Sequence, residues 1–151
     1  MEGQKLTEHF SLTEFTRSSV AATHGICNEP PVEAISNLQN LCQEVLEPLR
    51  KHYGKAITIS SGYRCSQLNK LVGGTRHSQH LTGEAADLHL PSLKIGLEWF
   101  DWLQCHCPFD QLIWEQKLTW IDGHSYLRFW IHVSCRRNPE KNRKQVLVLK
   151  K

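Results

Sequence analysis

Ser78-Gln79-His80-Leu81-Thr82-Gly83-Glu84-Ala85-Ala86-Asp87 reads as a polar loop that turns at a glycine and runs into a strand. The strand pattern covers Glu84 to Leu90 and stops at Pro91. Alternate side chains of a strand share a face, so Ala85, Asp87 and His89 point one way and Ala86 and Leu88 the other. Gly83 lets the chain turn between His80 and Asp87, and the two small alanines permit close approach. Further on, Leu127 to Ser134 reads as another strand, in which Arg128, Trp130, His132 and Ser134 share a face. Two neighbouring strands can therefore aim Asp87 and His132 at one point, with His80 coming from the loop. Two imidazoles and one carboxylate are the ligand count of a catalytic zinc (Zn2+) site, which keeps one position open for water. His89 lies on the face of Asp87 and competes as a ligand.

Outward from this centre the elements alternate without βαβ regularity. Ser11 and Glu14 match a capping box, which predicts a short helix starting there. Asn28-Glu29-Pro30-Pro31 breaks the chain. From Val32 to His52, Ile35, Leu38, Leu41, Cys42, Val45, Leu46 and Leu49 recur at helical spacing and predict one long amphipathic helix. Pro48 is expected to bend or tighten its last turn. Lys55 to Ser60 reads as a strand, Ser66 to Leu71 as a short helix stopped by Gly73-Gly74, Ser92 to Cys105 as a helix, and Phe109 to Glu115 as a strand. The class is α+β: one domain over residues 1–151, with an antiparallel sheet and flanking helices.

The 151 residues suffice for one domain with a real core. A hydrophobic share of 40% with interspersed charges of both signs excludes a disordered or fibrous chain. No stretch approaches the ~20 apolar residues of a membrane helix. Met1-Glu2-Gly3-Gln4-Lys5 lacks the basic and apolar regions of an export signal, so synthesis in the cytoplasm is expected. The six cysteines show no framework and read as reduced thiols, mostly small buried hydrophobes. Much of the formal charge of +3 sits in a basic tail at about 136–151, read as a solvated terminus. No aromatic residues interleave with it, so nucleic acid is not expected as a partner.

Ser-x-His-x-x-Gly-x-Ala-x-Asp from Ser78 to Asp87, followed by Trp130-Ile131-His132-Val133-Ser134, resembles the zinc D-alanyl-D-alanine carboxypeptidases and L-alanyl-D-glutamate endopeptidases (peptidase family M15). Ser60-Ser61-Gly62-Tyr63-Arg64-Cys65 and Phe109-Asp110-Gln111-Leu112-Ile113 are similar to the small branch of that family, its subfamily A. So are Glu8-His9-Phe10-Ser11-Leu12-Thr13-Glu14-Phe15 and Leu46-Glu47-Pro48-Leu49-Arg50. The resemblance implies a Hedgehog/DD-peptidase-like fold and zinc held by His80, Asp87 and His132. Arg64 would hold a substrate carboxylate or the developing oxyanion, a task suited to a permanently charged forked donor. Ser78 would hydrogen-bond substrate or a ligand, or serve the loop turn alone. His77 is a further candidate for stabilising the transition state. Many relatives place a Glu three residues before the last zinc histidine, where this chain has Phe129. Glu115 is the substitute general base expected here, with Glu84 and His124 behind it.

The function expected is a monomeric zinc metallopeptidase acting on peptidoglycan or muropeptide stem peptides, as carboxypeptidase or endopeptidase. It would be made in the cytoplasm and reach the wall after release, as a phage or prophage lysin. The rival is a non-catalytic zinc-stabilised binding module on the same fold. A thiol enzyme using Cys65 or Cys135 is disfavoured, because alternation puts Cys135 opposite His132.

Overall fold

Leu38, Leu41, Cys42, Val45, Leu46 and Leu49 are all fully buried, at the spacing that predicted one long helix. In the computed structural model, which describes residues 3–151, that helix is divided. It comprises α3 (Val32–Leu41), a π turn (Cys42–Leu46) and α4 (Glu47–Tyr53), after two short helices α1 (Leu12–Thr16) and α2 (Ser19–Thr23). Pro48 has no N–H to offer the carbonyl of Glu44. The wider turn absorbs this: the Glu47 N–H bonds to the Cys42 carbonyl, five residues back. Each buried leucine of the stripe contributes about 1.5–3 kcal/mol, so packing holds the interrupted helix in place. Met1 and Glu2, the start of the segment read for an export signal, lie outside the described residues.

The stripe packs on a five-stranded sheet of order β1-β2-β4-β3-β5. The strands are β1 (Ile59–Ser61), β2 (Ala85–His89), β3 (Gln111–Ile121), β4 (His124–Ser134) and β5 (Gln145–Lys150). Ala86, Leu88, Leu112, Trp114, Ile131 and Val133 face the helices and share one core with Trp99 and Leu103 of α6 (Leu93–His106). The sheet is antiparallel except for β5, which runs parallel to β3. The α+β class read from the sequence is the class observed. No helix among the described residues is long and apolar enough to cross a membrane.

The N-terminal arm is fastened to α4 by Glu47, which is buried. Its carboxylate accepts from the Thr7 hydroxyl at 2.7 Å, the His9 N–H at 2.7 Å and the His9 Nδ1 at 2.8 Å. Burial pushes the Glu47 carboxyl up, but the His9 and Thr7 bonds outweigh it and hold it below the usual range. Two segments that look unrelated in the sequence thus meet around one carboxylate.

Two expectations are corrected. The strands ending at Glu115 and starting at Leu127 are longer: they join in a hairpin through Asp122 and Gly123, whose φ angles of 51° and 77° are both left-handed. An Asp-Gly turn with that twist is the favoured two-residue connection. The basic tail at 136–151 is not a solvated terminus. It contains a 3-10 turn (Pro139–Lys141) and β5, and Lys144 Nζ donates to the Cys107 carbonyl at 3.0 Å while lying 4.4 Å over the Phe109 ring. Val146-Leu147-Val148-Leu149 has the β-branched content of an edge strand, which the surrounding charge hid.

Candidate functional site

The face of the sheet turned away from the helices carries Asp87 from β2, His132 and Trp130 from β4, and Ile113 and Glu115 from β3. The register makes Asp87 the direct partner of His132, and Glu115 the direct partner of Trp130. His80 arrives from a 3-10 turn, Gln79–Thr82, between Ser78 and Gly83. Gly83 has φ 78°, and a Cβ there would clash with the Ala34 carbonyl oxygen of α3. Asn37 of α3 donates to the Thr82 carbonyl at 2.8 Å. The turn is thereby seated on the helix and aims His80 at the sheet.

The ligand atoms of His80, Asp87 and His132 all lie within 4.8 Å of one another, and the three residues could hold a metal ion. Asp87 Oδ1 is 3.0 Å from His132 Nδ1 and 3.3 Å from His80 Nε2. The His80 Nδ1–H donates to the Gly62 carbonyl at 2.7 Å, which turns Nε2 toward the Asp87 carboxylate. Two lone pairs at that separation repel unless a proton or a cation lies between them. A divalent ion suited to two imidazoles and a carboxylate fits this donor set. Burial pushes the Asp87 carboxyl up, yet the charges and hydrogen bonds of His80 and His132 override it and hold it far below the usual range.

Arg64 extends the centre. Its guanidinium lies 3.5 Å from Asp87 Oδ2 and donates to Ser61 Oγ at 3.1 Å and Asn69 Oδ1 at 3.3 Å. Its backbone N–H donates to the His80 carbonyl at 3.0 Å, so the two motifs carrying Arg64 and His80 are one hydrogen-bonded unit. Gly62, whose carbonyl receives the His80 Nδ1–H, has room for no Cβ: its position would fall 2.6 Å from the Phe15 Cα. Burial lowers the Arg64 pKa, against the opposing charges of Asp87 and Glu115.

Glu115 is buried, with Oε2 accepting from Trp130 Nε1 at 2.8 Å and Oε1 lying 3.1 Å from Lys151 Nζ. Phe129 stacks on Trp114 with ring centroids 5.9 Å apart, so that position serves the helix-side packing. His77, Ser78, His89 and Glu115 line the same cleft of about 1190 Å³ as the three clustered residues. Ser78 Oγ accepts from the His80 N–H at 3.2 Å and caps the turn. The other base candidates stand elsewhere. Glu84 bonds to Thr82 and lines a separate cavity, and His124 is exposed at the far end of the hairpin. His89 shares the face of Asp87 but does not join the cluster. Cys135 is buried in the helix-side core, where burial pushes its thiol up.

Asp110 and Gln79 have a positioning role that motif reading did not assign. Asp110 is fully buried and accepts from Arg143 N, Nε and Nη2 at 2.8, 3.0 and 2.7 Å, and from Gln79 Nε2 at 2.9 Å. Arg136 Nε lies 3.4 Å away. Gln79 precedes His80, so this carboxylate ties β3, the C-terminal segment and the His80 turn together. The signal was present: both residues sit inside motifs quoted above. Burial acts to raise the Asp110 pKa, but the Arg143 and Gln79 bonds prevail and bring it down to about 2. A depressed folded-state pKa gives stability that is fully present above the unfolded value of about 4 and lost as pH falls toward about 2. Asp110→Asn is expected to cost roughly 2–3 kcal/mol at neutral pH, since it strips a charged acceptor from its donors. It should also flatten the acid limb of stability between pH 4 and 2. Urea midpoints measured at stepped pH check this; an unchanged acid limb counts against it.

A search of curated proteins finds no match. A family model described as Peptidase M15 matches residues 8–115. The match takes in Arg64, His80, Asp87, Asp110 and Glu115, while His132 lies beyond it and is brought to Asp87 by strand pairing. The matched stretch is well over half of the 151 residues, and the chain belongs to the peptidase M15 family.

Proposed function

We propose that this chain is a zinc metallopeptidase that hydrolyses peptide bonds in peptidoglycan stem peptides. The observation carrying this reading is the convergence of His80, Asp87 and His132 in one cleft with Arg64 and Glu115. Zinc held by those three residues would polarise the scissile carbonyl and lower the pKa of a water. Glu115 takes a proton from the attacking water and later delivers it to the leaving amine. The Trp130 N–H fixes the orientation of that carboxylate. Arg64, held in place by Ser61 and Asn69, faces a substrate carboxylate or the developing oxyanion with forked donors. Ser78 and His77, on the cleft wall, are further contacts for substrate. In this reading the enzyme is made in the cytoplasm and acts on the wall after release, as a phage or prophage lysin does.

The test is a digest of purified muropeptides by metal-loaded protein, with and without a chelator. Release of alanine or stem fragments is expected, lost on chelation and restored by zinc. A fresh, zinc-loaded protein that releases nothing overturns the enzyme. The alternative, a non-catalytic zinc-stabilised binding module, is favoured by one observation: Lys151 engages the Oε1 of Glu115. It prevails if zinc raises the melting temperature but no cleavage accompanies it.

A further inference from the structure

Six lysines and arginines line the cleft that holds His80, Asp87 and His132. Four of them face carboxylates: Arg64 faces Asp87, Arg136 and Arg143 face Asp110, and Lys151 faces Glu115. Lys117 and Arg128 have no carboxylate partner among the described residues. They are also direct cross-strand partners in the β3–β4 ladder. Like charges directly opposite one another in a ladder are destabilising. Both point to the face that carries the candidate metal ligands, because they are an even number of residues from Glu115 and Trp130 on their strands.

The ladder also fixes their distance from the reacting centre. His132 pairs with Ile113, Glu115 with Trp130, and Lys117 with Arg128, in steps of two residues. Each step is about 7 Å of strand. The cation pair therefore lies about 7 Å beyond Glu115 and about 14 Å beyond His132 along the strand direction. An extended peptide covers at most about 3.5 Å per residue. A substrate laid along the cleft presents the pair with a group about two to four residues from the scissile bond, given the reach of the two side chains.

We propose that Lys117 and Arg128 form an anion subsite that takes a carboxylate of the peptide substrate and makes the chain selective for acidic peptides. The proposal rests on the peptidase reading for the identity of its ligand, and it has a binding readout of its own. A cation pair without a carboxylate of its own, in a cleft whose other lysines and arginines already face carboxylates, attracts an anion from solution. A peptide that also enters the centre at His80, Asp87 and His132 satisfies both ends of the cleft at once.

The experiment uses a stem pentapeptide and its counterpart with every carboxylate except the C-terminal one converted to carboxamide, so that both forms keep the group available to Arg64. Their affinities are measured by calorimetry in a Glu115→Gln background, so that turnover does not intervene. The acid form is expected to bind at least about 10-fold more tightly than the amide form. Adding Lys117→Gln and Arg128→Gln should bring that ratio close to one and leave the affinity for the amide form unchanged. Both side chains are exposed, so the double substitution should hold or raise the melting temperature. A ratio that survives the double substitution overturns the proposal. So does displacement of the acid peptide by inorganic phosphate at equal concentration, which would mark a phosphate site. A ratio that collapses as expected, in a protein whose Glu115 form cleaves nothing, supports the subsite while overturning the peptidase.

Discussion

Replacing Glu115 by Gln should lower kcat on muropeptides by about 10²- to 10⁴-fold, the span of a lost general acid–base group, while zinc content and melting temperature stay near those of the parent. The substitution keeps the shape of the side chain. Its amide oxygen can still accept from Trp130 Nε1, which now bonds Oε2 at 2.8 Å. It removes the capacity to take a proton and the charge facing Lys151 at 3.1 Å. Lys151 is about half exposed, so losing that pair costs little stability. A metal assay, a thermal melt and a kcat measurement on one preparation separate the roles. Activity within a few-fold of the parent would remove Glu115 from the chemistry and return the base to an unassigned group of the cleft.

The second large effect belongs to Asp87→Asn. Asp87 is the hub of the centre: one oxygen lies between two imidazoles and the other faces Arg64. The amide keeps the volume and discards the charge. Metal affinity should fall by more than the roughly 10–100-fold typical of an outer-shell change, and activity should disappear with it. The substitution also strands the Arg64 guanidinium, which is largely buried and paired to that carboxylate. Removing one partner of a buried pair costs about 3–5 kcal/mol. The metal-free variant should therefore unfold at clearly lower urea concentration than the metal-free parent. Equal zinc stoichiometry and equal stability in parent and variant would show that the three side chains do not act as one centre.

The helix stripe and the strand faces were legible because each depends on local period. Leu38 to Leu49 recur at helical spacing, and Asp87 and His89 share a face by simple alternation. The π turn was not legible, since it is the response of a packed helix to the missing N–H of Pro48. The hairpin at Asp122-Gly123 was signalled by its turn residues, yet the polar Gln116-Lys117 and His124-Ser125 stopped both predicted strands short of it. β5 was hidden in the same way by Lys141, Arg143, Lys144, Lys150 and Lys151. Asp110 stood inside a quoted motif, but its role depends on Arg143 and Gln79, more than thirty residues away on either side.

The identity of the donor groups, their alternation on strands and the glycine that turns the chain between two of them are properties of the residues in order. They follow from local sterics and from the chemistry of each side chain. Whether His80, Asp87 and His132 share one corner is a matter of register between β2 and β4 and of the seat of the His80 turn on α3 and Gly62. Those contacts join residues far apart in the chain, through backbone hydrogen bonds that any sequence can make. A slip of one residue between β2 and β4 would send His132 to the helix side of the sheet. Only the packing of the whole core selects the register that keeps it beside Asp87.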